Sequence, residues 1–234
     1  MITELIFKLR KLFSTKDISL LCVGLERTKR GETLLGAEAG ARKFYKKIKP
    51  RCNHSKLLLN EEATWKNVVA EITAACQADL AIITFNCHGG QQKGKENEID
   101  GKDEFLAIYD EYLLDNQIWR IISKAKGRVF LIFDSCHSGT MYRNITFADC
   151  YQFARDFVPD VLCWAACAED KEAYSTSTGG MLTKKICKNI RWWKTYDSLW
   201  KTVSKDKSLV KSEIVVRSML REDDSKFKHR FFLS

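Results

Sequence analysis

Proline is scarce in this sequence, which contains only Pro50 and Pro159 in 234 residues. Glycine- or serine-rich stretches and internal repeats are also lacking. These absences argue against flexible linkers and repeat architectures, and the length fits one larger domain. A hydrophobic share of 45% is enough to build the core of such a domain. We therefore predict a single domain over residues 17–234, preceded by a separate segment at residues 1–16.

Long apolar runs are missing as well. The longest cover six to eight residues, whereas a membrane-spanning helix needs roughly 20, so we expect no transmembrane segment. Nine cysteines are present, but the number is odd and no signal peptide precedes them, which argues against a secreted disulfide framework. The sequence therefore predicts reduced thiols and a cytoplasmic location.

The formal net charge is +9, which can indicate a nucleic-acid or acidic-membrane partner. Lysine and arginine are nevertheless spread along the chain with acidic residues between them, and no zinc-finger, phosphate-loop or RNA-binding signature accompanies them. We expect no nucleic-acid partner. Residues 1–16 differ, because their pattern predicts an amphipathic helix with a basic polar face. Such a helix is suited either to packing on its own domain or to docking on a protein or membrane surface.

Apolar strand-like runs alternate with helical patterns along the rest of the chain. The predicted strands cover residues 17–24, 56–59, 80–85, 128–133, 161–166 and 230–233. The predicted helices cover residues 35–48, 61–75, 115–122, 180–192 and 208–221. Asp115 is the predicted N-cap of the third helix, and residues 91–102 are predicted to form a polar loop. This alternation is typical of a mostly parallel sheet covered by helices on both faces.

Two short motifs follow two of these strands directly. The first is Asn86-Cys87-His88-Gly89-Gly90, and the second is Asp134-Ser135-Cys136-His137-Ser138-Gly139. The carboxyl ends of strands in an open α/β sheet are where ligands bind. If the two strands are neighbours, His88 and Cys136 can form a base and nucleophile pair, with the amides of Gly89 and Cys136 as the oxyanion hole.

Simpler interpretations exist for each motif alone. A histidine after a strand is often a hydrogen-bonded surface residue, and cysteine is among the most buried residue types. His137 is the other histidine beside Cys136, but the side chains of adjacent residues diverge. Cys136 lies 48 positions after His88, close to the separation of about 50 residues found in caspases. Together, the order and the spacing favour a His88–Cys136 dyad.

The chain resembles the caspase-like cysteine peptidases, closest to their metacaspase and orthocaspase branch. The resemblance runs from about residue 18 to residue 190 and is carried by residues 134–139, 87–89, 100–106, 113–118, 165–170 and 179–183. It implies a caspase-like three-layer sandwich with a central, mostly parallel six-stranded sheet and helices on both faces. It also implies endopeptidase activity, with His88 as the catalytic histidine and Cys136 as the nucleophile.

The resemblance places Asp134 at the floor of the pocket for the residue before the cleaved bond, which implies a preference for Arg or Lys there. A carboxylate in a confined pocket can pair bidentately with a guanidinium group. The alternative is that Asp134 only caps the end of its strand. The second acid of the family's pocket has no counterpart, since Ala39-Gly40 stands in its place. Asn86 replaces a serine of the family and is the remaining candidate substrate-binding residue.

Calcium binding is the one metal function that the resemblance raises. Asp103 and Asp115 match positions that bind calcium in calcium-activated metacaspases. However, Asn116 replaces an acid and Arg143 stands where another is common, and an arginine would repel the cation. We expect no required cofactor and weak or absent calcium dependence.

These observations lead to one main functional hypothesis. We predict an intracellular cysteine endopeptidase that cleaves after Arg or Lys through an acyl-enzyme. The resemblance adds a protein substrate, an activating protein partner and a setting in cell death or defence. The alternative is a catalytically silent caspase-like scaffold that binds partners through its N-terminal helix and basic surface.

Overall fold

The computed structural model describes residues 17–93, 102–135, 160–166, 175–191, 194–206, 209 and 215–219. Side chains of residues 102, 103 and 215–219 are outside this description. Three predictions therefore fall outside the described residues: the helix at residues 1–16, the position of Cys136 and the strand at residues 230–233. The division of the chain at residue 16 likewise stays a prediction.

The described strands and helices alternate along the chain. The strands are β1 Ile18–Gly24, β2 His54–Leu59, β3 Leu80–Asn86, β4 Gly89–Lys93, β5 Lys102–Ala107, β6 Tyr112–Leu114, β7 Arg128–Phe133, β8 Val161–Ala165, β9 Ser175–Thr176, β10 Gly179–Gly180 and β11 Val215–Met219. The α-helices are α1 Ala37–Ile48, α2 Trp65–Ala75, α3 Asp115–Ile122, α4 Met181–Asn189 and α5 Tyr196–Ser204. Short 3-10 helices cover Lys49–Arg51 and Asn60–Glu62.

A six-stranded sheet with the order β11-β8-β7-β3-β1-β2 forms the centre of the molecule. The neighbouring pairs from β2 to β8 are parallel, and β11 alone is antiparallel, pairing with β8. β1 and β3 are buried along their whole length, as expected for inner strands covered on both faces. The predicted caspase-like class, a mostly parallel sheet with helices, is confirmed.

Successive side chains of β1 enter two different apolar clusters, because neighbours on a strand point to opposite faces. Leu21 and Val23 pack with residues of α2 and α3. Leu20 and Cys22 pack with residues of α1, α4 and α5. The sheet is therefore the middle layer of a three-layer sandwich. Within the described part of the chain, no helix has the length and hydropathy needed to span a membrane.

A second, three-stranded sheet with the order β4-β5-β6 lies next to the predicted motifs. The sequence predicts a polar loop over residues 91–102, but residues 89–93 and 102–107 pair as antiparallel strands. Gly, Gln and Lys are poor strand formers, so local preference did not reveal β4. Tertiary contacts stabilise the pairing: the ring of Phe105 stacks on Tyr112 with centroids 4.0 Å apart, and the Arg30 guanidinium lies 4.0 Å from the Tyr112 centroid.

The helices also differ in part from the sequence predictions. The predicted helix at residues 208–221 is wrong over residues 215–219, which form β11 and complete the sheet beside β8. Helix α5 was not predicted; Thr195 caps it by accepting a hydrogen bond from the Ser198 amide at 3.1 Å. Asp115 is the first residue of α3 and not its N-cap, which is Leu114. The helical patterns in these segments are short, and short helices depend on tertiary packing for their stability. Burial against the sheet therefore determined where these helices and strands formed.

Candidate active site

The two predicted motifs emerge at the same edge of the central sheet. β3 and β7 are parallel neighbours, with Phe85 opposite Phe133. The Asp134 amide extends this pairing by donating to the Phe85 carbonyl at 2.8 Å. His88 and Asp134 therefore follow adjacent strand ends, which meets the condition that the sequence hypothesis set for a dyad. Cys136 itself lies outside the described residues, one position beyond Ser135.

The imidazole of His88 is oriented by a main-chain carbonyl. Its Nε2 lies 2.7 Å from the carbonyl oxygen of Thr33. A carbonyl can only accept a hydrogen bond, so this contact requires a proton on Nε2. In the neutral ring, Nδ1 is then the atom with a lone pair, able to take a proton from a nucleophile. Sequence reasoning did not identify Thr33, because it lies 55 residues from His88.

The loop that carries Thr33 is held by Asn60. The Oδ1 of Asn60 accepts from the amides of Glu26 and Arg27 at 2.9 and 3.3 Å, and its Nδ2 donates to a Glu38 carboxyl oxygen at 2.8 Å. Asn60 adopts a positive φ of 43°, a conformation that asparagine tolerates better than most residues. Asn60 thus positions the loop that orients His88, and its place directly after a strand is the only sequence signal for this role.

The main-chain N–H of Gly89, the first residue of β4, points away from the neighbouring strand β5. The Ala107 amide donates to the His88 carbonyl at 2.8 Å, which makes His88 and Ala107 a hydrogen-bonded pair of the antiparallel ladder. The next residue on each strand belongs to a non-hydrogen-bonded pair, whose N–H and C=O groups point outward. The Gly89 N–H is therefore directed away from β5. This orientation suits an oxyanion donor, while the amide of Cys136 is beyond the described residues.

Asp134 is buried, with 5% of its surface exposed. Its Oδ2 accepts the Thr183 amide at 2.7 Å, and its Oδ1 has no hydrogen-bond partner among the described residues. Burial raises the pKa of the carboxyl group above its ordinary value, although hydrogen bonds from Thr183 act in the opposite direction. Asp134 thus caps helix α4 from a distant strand and retains one unused acceptor atom.

The residue directly before the helix that Asp134 caps has no side chain. Gly180 occupies the N-cap position of α4 and makes no side-chain cap. A Cβ added to Gly180 would lie 2.3 Å from the Asp134 Cγ. Glycine is therefore required here for the carboxyl group to reach the first turn of the helix, where a negative charge is favoured.

Asn86 lies beneath the site and is 1% exposed. Its Oδ1 accepts from the Thr183 hydroxyl at 3.0 Å, and its Nδ2 donates to the Thr84 hydroxyl at 3.3 Å. A Cβ on Gly40 would lie 2.7 Å from that Oδ1, so the Asn86 amide fills the space beside Gly40. Substrate binding by Asn86 stays a prediction.

A short hairpin closes one side of the site. β9 and β10 pair with each other, and the Ser175 hydroxyl donates to the Leu35 carbonyl at 3.0 Å. Leu35 is 68% exposed, unlike the other large apolar side chains of the described chain. It borders a cavity of about 400 Å³ lined by Glu26, Arg27, Thr33, Leu35, Glu38 and Asn60. This cavity adjoins the carbonyl that orients His88.

The two residues predicted as calcium ligands are Asp103 and Asp115. Asp115 is buried, and its Oδ1 accepts the amide of Asn116 at 2.7 Å. Asp103 lies in β5, with its side chain outside the description. Within the described residues, no group of three or more His, Cys, Asp or Glu side chains could hold a metal ion. Calcium dependence, and the absence of a required cofactor, stay predictions.

Comparisons with known proteins agree with this architecture. The family model described as metacaspase, peptidase C14 domain, matches residues 37–144. A structural genomics target from Geobacter sulfurreducens superimposes with a TM-score of 0.73 and 22% identity, covering 93% of this chain and 98% of its own. Caspase-1 from Spodoptera frugiperda superimposes with a TM-score of 0.61 and 13% identity, covering 88% and 87%. Comparison with curated protein sequences finds no significant match.

Proposed function

We propose that this chain is a caspase-like endopeptidase of the metacaspase family with a Cys136–His88 dyad, in line with the metacaspase peptidase C14 family model that matches residues 37–144 and with the fold that it shares with caspase-1 from Spodoptera frugiperda. The observation that carries the proposal is the 2.7 Å bond from His88 Nε2 to the Thr33 carbonyl. It holds the imidazole with Nδ1 as the proton acceptor, at the strand edge from which the Cys136 motif also starts. A catalytic base needs this kind of fixed tautomer.

The proposed reaction proceeds in two stages. His88 Nδ1 takes the proton of the Cys136 thiol, and the sulfur attacks the peptide carbonyl carbon. The resulting oxyanion accepts hydrogen bonds from the amides of Gly89 and Cys136. Its collapse breaks the carbon–nitrogen bond, while His88 gives its proton to the leaving amine. Water then attacks the thioester with His88 as the base, which releases the acid product and restores the thiol.

The proposed specificity is for Arg or Lys before the cleaved bond. Asp134 supports it, because Oδ1 has no hydrogen-bond partner among the described residues while Oδ2 binds the Thr183 amide. A cation placed beside Oδ1 would stabilise the ionised carboxylate and offset the burial that raises its pKa. A guanidinium or ammonium group is therefore a suitable partner for this atom.

The proposal extends to cellular context. The described cysteines are free thiols, which is consistent with action in the reducing cytoplasm. No cofactor is needed for the chemistry above. An activating protein partner, and a setting in cell death or defence, rest on the family resemblance alone.

Fluorogenic peptides that differ only in the residue before the reporter group test this function. The wild type is expected to hydrolyse Arg and Lys peptides much faster than Asp or Leu peptides. Cys136→Ala and His88→Ala should each lower kcat/KM by about 10³-fold or more, since dyad members act as a unit. Cys52→Ala, which changes a half-buried thiol outside the site, is the matched control and should retain activity.

Three outcomes would contradict parts of the proposal. Undiminished hydrolysis by Cys136→Ala would remove the mechanism, and a preference for Asp or Leu would overturn the basic specificity. Absence of hydrolysis, combined with failure of an arginyl ketone probe to alkylate Cys136, would instead favour the silent scaffold.

A further inference from the structure

The carbonyl that orients His88 belongs to a peptide group that is hydrogen-bonded on both sides. Thr33 supplies the carbonyl oxygen, 2.7 Å from His88 Nε2, and Leu34 supplies the N–H, which donates to the Glu26 carbonyl at 2.9 Å. Within the described chain the peptide bonds are trans, so this N–H and this C=O point in opposite directions. The bond to Glu26 therefore sets the direction in which the Thr33 carbonyl points.

The loop between β1 and α1 folds back on itself through an antiparallel bridge. Arg27 lies opposite Thr33 in this bridge. On one side the Leu34 amide donates to the Glu26 carbonyl, and on the other the Thr28 amide donates across the loop to a carbonyl at 3.0 Å. This pattern makes Arg27 and Thr33 a non-hydrogen-bonded pair, whose main-chain groups point outward. The outward direction of the Thr33 carbonyl is thus a property of the loop and not of the histidine alone.

The side chain of Glu26 holds the end of the same loop. Its Oε1 accepts the Gly36 amide at 2.9 Å. Gly36 is the N-cap of α1, has a φ of 85° and makes no side-chain cap, and a Cβ added to it would overlap the Thr176 carbonyl oxygen. Glu26 therefore binds the loop on both sides of Leu35, with its main-chain carbonyl at Leu34 and with its carboxyl group at Gly36.

Glu26 and His88 are attached to the same pair of strand ends. Leu25 donates its amide to the Asn86 carbonyl at 2.9 Å, which extends the parallel pairing of β1 with β3. Glu26 directly follows Leu25, and His88 lies two positions after Asn86. The Asn60 side chain accepts the Glu26 amide at 2.9 Å. Both partners of the contact between Nε2 and the carbonyl are therefore held by one rigid pair of strands.

We propose that Glu26 is a positioning residue for His88, acting through the peptide group of Thr33 and Leu34. This inference rests on the proposed peptidase function and deepens it. The Glu26 carboxyl group holds the loop at Gly36, and the Glu26 carbonyl directs the Thr33 carbonyl towards Nε2. Donation by the Leu34 N–H also polarises the Thr33 carbonyl, which strengthens it as an acceptor. In the neutral ring the proton therefore stays on Nε2, and Nδ1 is left to take the thiol proton.

Nuclear magnetic resonance of the His88 ring N–H tests this role without any turnover. The chain contains four histidines, so isotope-labelled histidine gives few ring signals, and His88→Gln identifies the one from the site. A ring N–H that is bonded to a fixed carbonyl is protected from exchange with water. Glu26→Ala should make this proton exchange about tenfold faster than in the wild type, because the carbonyl is no longer held in place. Glu26→Gln keeps an oxygen acceptor at the same distance along the side chain and should retain the protection.

Steady-state kinetics with an arginyl fluorogenic peptide give a second, independent measurement. Glu26→Ala should lower kcat about 10- to 100-fold and change KM less than about twofold, because it disturbs the orientation of the base and not the substrate pocket. Glu26→Gln should retain most of the activity. Glu61→Ala is the matched control, since it removes an exposed carboxylate that binds Arg27 of the same loop at 2.9 Å. Exposed ion pairs contribute little, so this variant should leave kcat and ring exchange unchanged.

The outcomes separate the positioning role from the peptidase function. Ring protection in Glu26→Ala equal to that of the wild type would overturn the positioning role, whether or not peptides are cleaved, and so would an equal loss in Glu61→Ala. Loss in Glu26→Ala with retention in Glu26→Gln would support the role even if no peptide were hydrolysed, and that absence of hydrolysis would contradict the peptidase function alone. Should Glu26→Ala not fold, Glu26→Asp takes its place; its carboxyl group is one methylene shorter, and exchange as slow as in the wild type would again overturn the role.

Discussion

Single residues set the geometry of the candidate site, and Gly180 is an example of a position with no space for a side chain. The Asp134 carboxyl group occupies the space where any side chain at position 180 would begin. The same carboxyl caps α4 through the Thr183 amide. In the usual cap, the side chain of the N-cap residue itself accepts a hydrogen bond from an amide of the first turn. Here the N-cap residue is a glycine, and the carboxyl group of Asp134, which follows β7, accepts that bond instead.

The Gly180→Ala substitution tests this arrangement. We expect it to lower the free energy of unfolding by about 1–3 kcal/mol, because the added methyl group overpacks a buried site. Urea denaturation measures the change. In an Asp134→Ala background the methyl group has room, so the same substitution should cost clearly less. Equal losses in the two backgrounds would show that the Asp134 contact does not cause the effect.

At the scale of elements, the first turn of α4 connects two strands of the central sheet. Thr183 donates its amide to Asp134, which follows β7, and its hydroxyl to Asn86 at the end of β3. All three residues are buried. A helix from the second half of the chain therefore fixes the relative position of the two predicted motifs.

Thr183→Val should separate the contribution of the hydroxyl from that of the main chain. Valine preserves the shape and the amide bond to Asp134 but leaves the buried Asn86 Oδ1 without its donor, which typically costs about 1–3 kcal/mol. Thr183→Ser keeps the hydroxyl and should retain most of the stability. Thermal or urea unfolding of the three proteins gives the comparison, and a valine variant as stable as the serine variant would argue against this role for the hydroxyl.

For the whole molecule, the two apolar clusters on either side of the sheet decide which thiols can react. Cys76 lies in the cluster with α2 and α3, and Cys22 and Cys187 lie in the other. Burial raises the pKa of Cys76 and of Cys187 to about 12 and that of Cys22 well above its ordinary value. Since the thiolate is the reactive form, the fold itself protects these cysteines.

Alkylation mapped by mass spectrometry measures this protection. Under native conditions near neutral pH, iodoacetamide should leave Cys22, Cys76 and Cys187 unmodified, because they are buried and protonated. In concentrated urea all three should react, which serves as the internal control. Rapid native modification of Cys76 would mean that the α2 side of the sandwich opens far more readily than its packing indicates.

The sequence alone determined the elements whose signal is local. Continuous apolar runs predicted β1, β3 and β7, and helical spacing predicted α1 and α2, because strand and helix periodicity is written in neighbouring residues. Polar motifs after two of those runs placed His88 and Asp134 at strand ends. The register of Phe85 opposite Phe133 confirms that these strands are neighbours.

Only the tertiary structure decided the contacts between distant parts of the chain. Nothing in local spacing pairs Thr33 with His88 or Thr183 with Asp134, which are 55 and 49 residues apart. Pairing with β5 made a strand of polar residues 89–93, and pairing with β8 made a strand within the predicted helix at residues 208–221. Hydrogen-bond partners and burial depend on which elements pack together, and packing across the whole chain overrides weak local preference.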